Sequence, residues 1–177
     1  MKIILAQTAD DIDVVRTLFR EYQRFLGVDL CFQGFEEELA LLPGRYAPPR
    51  GRLLLAREGL HPAGCVALRP LDDGACEMKR LFVRPDYRGQ GLGRLLAVRV
   101  VSEATALGYV VMRLDTLETL NNAIQIYTAM GFQRRTPYYA NPLSGVVYWE
   151  RVLSNGTPTS VAEGSDHSPH APVETPP

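Results

Sequence analysis

Val83-Arg84-Pro85-Asp86-Tyr87-Arg88-Gly89-Gln90-Gly91-Leu92-Gly93-Arg94 is the stretch that decides how this sequence folds. An apolar run, Cys76 to Val83, leads into it, and an amphipathic run, Gly91 to Leu107, leads out. The join predicts a strand, a tight turn and a helix. Gly89, Gly91 and Gly93 let the backbone turn sharply and let a ligand come close. The first amides of the helix have no partner within it, and the helix dipole favours an anion there. A phosphate-bearing ligand is the expectation; a solvated strand–helix connection is the alternative. Arg84, Arg88 and Arg94 flank the turn. They either add charge-assisted contacts to a phosphate or stay solvated at the helix start.

Working outward, the helix after the loop presents Leu92, Leu95, Leu96, Val100, Ala104 and Leu107 as its core face, with Gly108 as its stop. Tyr109 to Leu117 reads as a central strand, Asn121 to Met130 as a helix ending at Gly131, and Phe132 to Tyr139 and Val146 to Leu153 as the last strands. Upstream, Arg52 to Arg57 and Ala63 to Arg69 are strands, and Leu71-Asp72-Asp73-Gly74 is a hairpin signal. Ile3 to Ala6 is a first strand. Thr8, followed by Asp10, Asp11 and Asp13, starts a helix whose stripe is Ile12, Val15, Leu18, Phe19, Tyr22, Phe25 and Leu26. Gly27 ends that helix, and Asp29 to Gln33 forms a loop. Phe35 to Leu42 is a shorter helix stopped by Pro43-Gly44, and Arg45 to Gly51 is a loop stiffened by Pro48-Pro49. The order gives a mixed α/β fold with one strand–helix–strand crossover in the middle.

The 177 residues suit one domain, and 46% hydrophobic content suits a globular core. Residues 1–153 form that domain. Residues 154–177, rich in Pro, Ser and Thr, read as a disordered tail that cannot bury enough surface to offset its ordering entropy. A formal net charge of −1 provides no global field to recruit nucleic acid or an anionic membrane. Cys31, Cys65 and Cys76 are odd in number and lack Cys-x-x-Cys spacing, so neither a disulfide framework nor a zinc site is expected. His167 and His170, in the tail, read as incidental. The apolar run at Ile3 to Ala6 is too short for a signal peptide, and no run reaches membrane-spanning length, so a cytoplasmic protein is expected.

Three loop chemistries compete for the phosphate. A P-loop needs Lys-Ser/Thr after its last glycine, whereas Arg94-Leu95 follows Gly93. A dinucleotide fingerprint needs a third glycine where Arg94 stands. Arg88-Gly89-Gln90-Gly91-Leu92-Gly93 does match Arg/Gln-x-x-Gly-x-Gly/Ala, and so resembles the pyrophosphate loop of the GNAT superfamily of N-acetyltransferases. Glu77-Met78-Lys79-Arg80-Leu81-Phe82-Val83 is similar to that superfamily's fourth strand. Ala123-Ile124-Gln125-Ile126-Tyr127-Thr128-Ala129-Met130-Gly131-Phe132 is similar to its Ala-Ile-x-Leu-Tyr-x-x-x-Gly-Phe motif. The resemblance covers about residues 1 to 153 in element order, with its sharpest motifs between 77 and 132.

The resemblance implies a twisted, mostly antiparallel sheet of six to seven strands, helices on both faces, and a fourth and fifth strand that splay apart. It implies acetyl-coenzyme A as co-substrate, no metal, and a small primary amine or amino-acid-like acceptor. Leu81 and Val83 would offer main-chain groups to the pantetheine, and the amide of Phe82 or Val83 would stabilise the oxyanion. The amides of Arg88, Gly89, Gln90, Gly91, Leu92, Gly93 and Arg94 would hold the pyrophosphate. Tyr127 would be the general acid. Glu77 would be the base, directly or through water, sharing strand parity with Leu81 and Val83 if the strand is regular; Asp115 or a water chain is its rival. Many relatives carry Asn where this chain has Leu120, so Asn122 is the substitute contact. Tyr138 and Tyr139 either shape an acceptor pocket or pack a turn. A non-catalytic acyl-coenzyme A sensor and a protein acetyltransferase are the competing functions, and monomer and homodimer both remain open.

Overall fold

The computed structural model describes residues 1–28, 30, 34–72 and 74–153. The expected tail, Cys31 and most of the Asp29 to Gln33 loop lie outside these residues, as do His167 and His170. Seven strands form one sheet: β1 (Lys2–Leu5), β2 (Arg52–Glu58), β3 (His61–Pro70), β4 (Ala75–Val83), β5 (Val111–Leu117), β6 (Gln133–Arg135) and β7 (Val146–Val152). Their order is β1-β2-β3-β4-β5-β7-β6. All neighbours are antiparallel except β4 and β5, which the crossover helix α3 (Leu92–Ala106) joins in parallel. The mixed α/β, mostly antiparallel architecture agrees with the expectation.

The pleat sorts the core onto two faces. In β2, Leu54 and Ala56 join α3 and Trp149 on one side, while Leu53 and Leu55 join α1 (Ala9–Leu26) and α2 (Phe35–Leu41) on the other. α4 (Asn121–Ala129) adds Tyr127 to the first face. α1 begins as the sequence predicts: Thr8 Oγ1 accepts the Asp11 amide at 3.1 Å, and Gly27 closes the helix at φ 65°.

Three expectations need correction. Leu95 is 53% exposed, because the buried stripe of α3 runs through Leu92, Leu96, Ala97, Val100, Val101 and Ala104 and leaves Leu95 beside it. Phe25 is 48% exposed at the end of the α1 stripe. The sixth strand is only Gln133–Arg135 rather than Phe132 to Tyr139. Pro137 has no amide to continue the ladder, and the tyrosines after it turn inward instead.

β4 is not regular. Cys65 pairs with Phe82 but Ala67 pairs with Lys79, so β4 carries one extra residue between these pairs. Arg80 sits there at φ 58°, outside the region that side chains prefer. The bulge inverts the alternation. Cys76 and Met78 pack in the α3-side core, and past the bulge Leu81 and Val83 pack against it while Phe82 joins the α1 side.

Candidate active site

β4 and β5 share a ladder only where Ala75–Glu77 meets Val111–Arg113. Beyond those pairs the strands separate. A cleft of about 1010 Å³ opens there. Leu81, Phe82 and Val83 line it from β4, and Asp115, Thr116 and Leu117 from β5. The glycine loop and the start of α3 close one end, and Asn122, Ile126 and Tyr127 of α4 face them.

The glycine loop has the conformation its composition calls for. Gly89 and Gly91 sit at φ 75° and 79°, values that an L side chain resists. Gly91 is the N-cap of α3 and no side chain caps it, so the first-turn amides remain without a helical partner. Arg88, Gly89, Gly91, Leu92, Gly93 and Arg94 all line the cleft. Gln90 does not: its amide nitrogen donates to the Asp86 carbonyl at 3.3 Å.

The three arginines have different duties. Arg84 grips Glu21 of α1 with two hydrogen bonds of 2.8 and 2.7 Å, so it pins the loop to the helix. Arg88 donates from Nε to the Val83 carbonyl at 2.9 Å and lays its guanidinium over Phe25, 4.2 Å from the ring centroid. Arg94 is exposed at the rim.

Tyr127 is buried against Phe132 and lines the cleft. Among the described residues nothing hydrogen-bonds its hydroxyl. Burial, with the charges of Tyr22 and Asp115 adding to it, pushes its titration well above the ordinary value of 10. Asn122 also lines the cleft, while Leu120 takes the N-cap position of α4 without capping it.

Glu77 departs from its expected place. Its side chain is fully buried, and it does not share a face with Leu81 and Val83, because the bulge at Arg80 lies between them. Arg69 Nε donates to its Oε2 at 2.6 Å and the Tyr138 hydroxyl to its Oε1 at 2.6 Å, with Lys79 Nζ 3.8 Å away. It is not among the residues that line the cleft, so a proton from an amine there would reach it only through water.

Asp115 does line the cleft. Lys79 Nζ donates to one of its oxygens and the Tyr139 hydroxyl to the other, both at 2.9 Å. Burial raises its titration, but the Lys79 charge and these hydrogen bonds outweigh burial and leave it below the ordinary 3.8.

Several residues of the site escaped the sequence reading. Arg80, beside Lys79 on the cleft wall, makes two hydrogen bonds to Glu38 of α2, at 3.0 and 2.8 Å. Tyr22 was legible only as part of a buried stripe, yet it faces the cleft beside Phe82, and burial raises its phenol to about 12. The tertiary ion pairs leave no local signal, since their partners come from distant elements. Among the described residues no group of three or more His, Cys, Asp or Glu is placed to hold a metal, and no helix is long and apolar enough to cross a membrane.

Residues 49–134 match the model of the Acetyltransferase (GNAT) domain. The chain is 42% identical over 156 residues to an uncharacterized N-acetyltransferase of Schizosaccharomyces pombe, covering 87% of this chain and 96% of that one. Its fold is similar to that of a GNAT-family acetyltransferase from Staphylococcus aureus, with a TM-score of 0.72 at 20% identity over 86% of this chain and 99% of that one. It is also similar in fold to a Salmonella typhimurium protein solved with its cofactor acetyl-coenzyme A, with a TM-score of 0.66 at 20% identity, covering 87% and 94%.

Proposed function

Because the chain belongs to the GNAT acetyltransferase family, we propose that it moves the acetyl group of acetyl-coenzyme A onto the primary amine of a small, amino-acid-like acceptor. Transfer is direct, in a complex with both substrates. The observation that carries this reading is the cleft itself: the freed edge of β4, the uncapped start of α3 and Tyr127 all face into it.

On this reading the first amides of α3 and its loop, Arg88 to Arg94, take the pyrophosphate, with the exposed Arg94 at the rim adding a cation. The main chain of Leu81 and Val83 takes the pantetheine, and Asn122 meets it from α4. The neutral amine attacks the thioester carbonyl, and the amide of Phe82 or Val83 steadies the oxyanion. When the carbon–sulfur bond breaks, Tyr127 gives its proton to the leaving thiolate. Its raised titration keeps that proton in place at neutral pH.

Asp115 replaces Glu77 as the carboxylate that faces the acceptor. A carboxylate whose charge is held by Lys79 and Tyr139 is a weak base but a good partner for an ammonium. On this reading water carries the amine's proton away. Lys79 and Arg80 beside Asp115 suit an acceptor that also carries a carboxylate.

The test is release of coenzyme A, with mass detection of the N-acetylated product, across a panel of amino acids and aliphatic amines. The expected result is equimolar coenzyme A and acetylated amine, dependent on both substrates. Binding of acetyl-coenzyme A without release against any acceptor would replace this reading with a non-catalytic sensor.

A further inference from the structure

The loop between β6 and β7 carries Tyr138 and Tyr139, whose hydroxyls reach two different strands. Tyr138 donates to Glu77 of β4 at 2.6 Å, and Tyr139 donates to Asp115 of β5 at 2.9 Å. Glu77 is the last residue of β4 that pairs with β5, and Asp115 lies just past the last paired residue of β5, Arg113. The two bonds thus fall on either side of the point where the strands part. Lys79 Nζ spans the same gap, 2.9 Å from Asp115 and 3.8 Å from Glu77. The rings of Tyr138, Tyr139 and Tyr148 pack edge to face, with centroids 5.3 to 5.6 Å apart.

From this anchor the loop runs back to the cleft. Asn141 donates to the Tyr139 hydroxyl at 3.0 Å and accepts the Leu143 amide at 3.0 Å. Asn141 and Leu143 both line the cleft, on the side of Asp115 and Val28, whereas the glycine loop and the start of α3 border its other end. A continuous chain of contacts therefore runs Leu143, Asn141, Tyr139, Asp115, Lys79. Both ends of that chain are cleft wall.

We propose that Tyr138 and Tyr139 are positioning residues that clamp this loop across the strand gap, and that the clamp sets affinity for the acceptor by fixing Asn141 and Leu143. Placing the acceptor at this end rests on the acetyltransferase reading. The clamp itself does not.

Two measurements separate them. Steady-state kinetics with the fastest amine of the panel should show the acceptor KM of Tyr139→Phe raised about tenfold or more, as loss of a hydrogen bond to a charged group allows. The acetyl-coenzyme A KM should stay within about twofold, and Asn141→Ala added to Tyr139→Phe should cost less than the sum of the two. Acceptor and donor constants that rise together, or that both stay at wild-type values, would overturn the proposal. Amide hydrogen exchange on the full chain needs no acceptor. Tyr138→Phe and Tyr139→Phe should each speed exchange about tenfold over residues 138–145 and leave residues 92–100 unchanged. Wild-type exchange over 138–145 would overturn the clamp even if no amine is ever turned over, whereas faster exchange with no turnover would sink only the acetyltransferase reading.

Discussion

Tyr127 and Glu77 occupy opposite circumstances although both were readable as motif residues. Tyr127 is buried, faces the cleft, and its hydroxyl makes no hydrogen bond among the described residues. Glu77 is buried, is not among the residues lining the cleft, and has its oxygens taken by Arg69 and Tyr138. A group that lines the cleft is placed to exchange a proton with a substrate directly, whereas Glu77 would need a water between. Tyr127→Phe should lower kcat by about 10²-fold while leaving acetyl-coenzyme A affinity nearly intact, which rapid-quench turnover and calorimetry would read. Because its titration lies above the ordinary value of 10, wild-type kcat should show no loss at that pH that Tyr127→Phe lacks. Equal kcat for the two enzymes would remove Tyr127 from the mechanism. What placed Tyr127 in the sequence was a contiguous pattern on one short helix. Glu77 was placed by parity along a strand, and parity fails wherever a bulge adds a residue. Nothing local to Lys79-Arg80-Leu81 announces that bulge; it is held by Arg80 reaching Glu38, which comes from α2.

At the scale of elements, the glycine loop and α3 follow rules that act within a few residues: left-handed glycines, an uncapped first turn, a Gly108 stop at φ 82°. Such rules are legible in sequence because both partners of each interaction are close neighbours. The β6–β7 loop is the opposite case. Its tyrosines bond to carboxylates 61 and 24 positions away, and no window along the chain contains both ends. The glycine loop's backbone requirement can be tested by itself. At Gly91 a methyl would meet nothing within 4 Å, so its cost comes only from the backbone at φ 79°. Gly91→Ala should therefore cost about 1–2 kcal/mol in thermal or denaturant unfolding. It should also weaken acetyl-coenzyme A binding more than it changes the acceptor KM. Gly93 has no such φ and its methyl would meet Ile126 at an ordinary 3.4 Å, so Gly93→Ala should not show the backbone cost. Matching losses at both positions would argue against backbone conformation as the source of the cost at Gly91.

For the whole molecule, one device organises the rest. A parallel pair that lasts only from Ala75–Glu77 against Val111–Arg113 opens a seven-stranded sheet from within. The bulge at Arg80 turns Leu81 and Val83 toward the α3 side, α3 aims its amides into the opening, and α4 brings Tyr127 to it. Ion pairs between Lys79 and Asp115, and between Arg80 and Glu38, tie β4 to β5 and to α2. Under the proposed function acetyl-coenzyme A lies in this opening, with its sulfur at Tyr127. A crystal structure with acetyl-coenzyme A bound measures this directly. It should show the pantetheine alongside Leu81 to Val83, the pyrophosphate on the amides of Arg88 to Arg94, and the Tyr127 hydroxyl within about 3.5 Å of the sulfur, the reach that proton transfer requires. A donor seated elsewhere, or a sulfur out of reach of Tyr127, would contradict it.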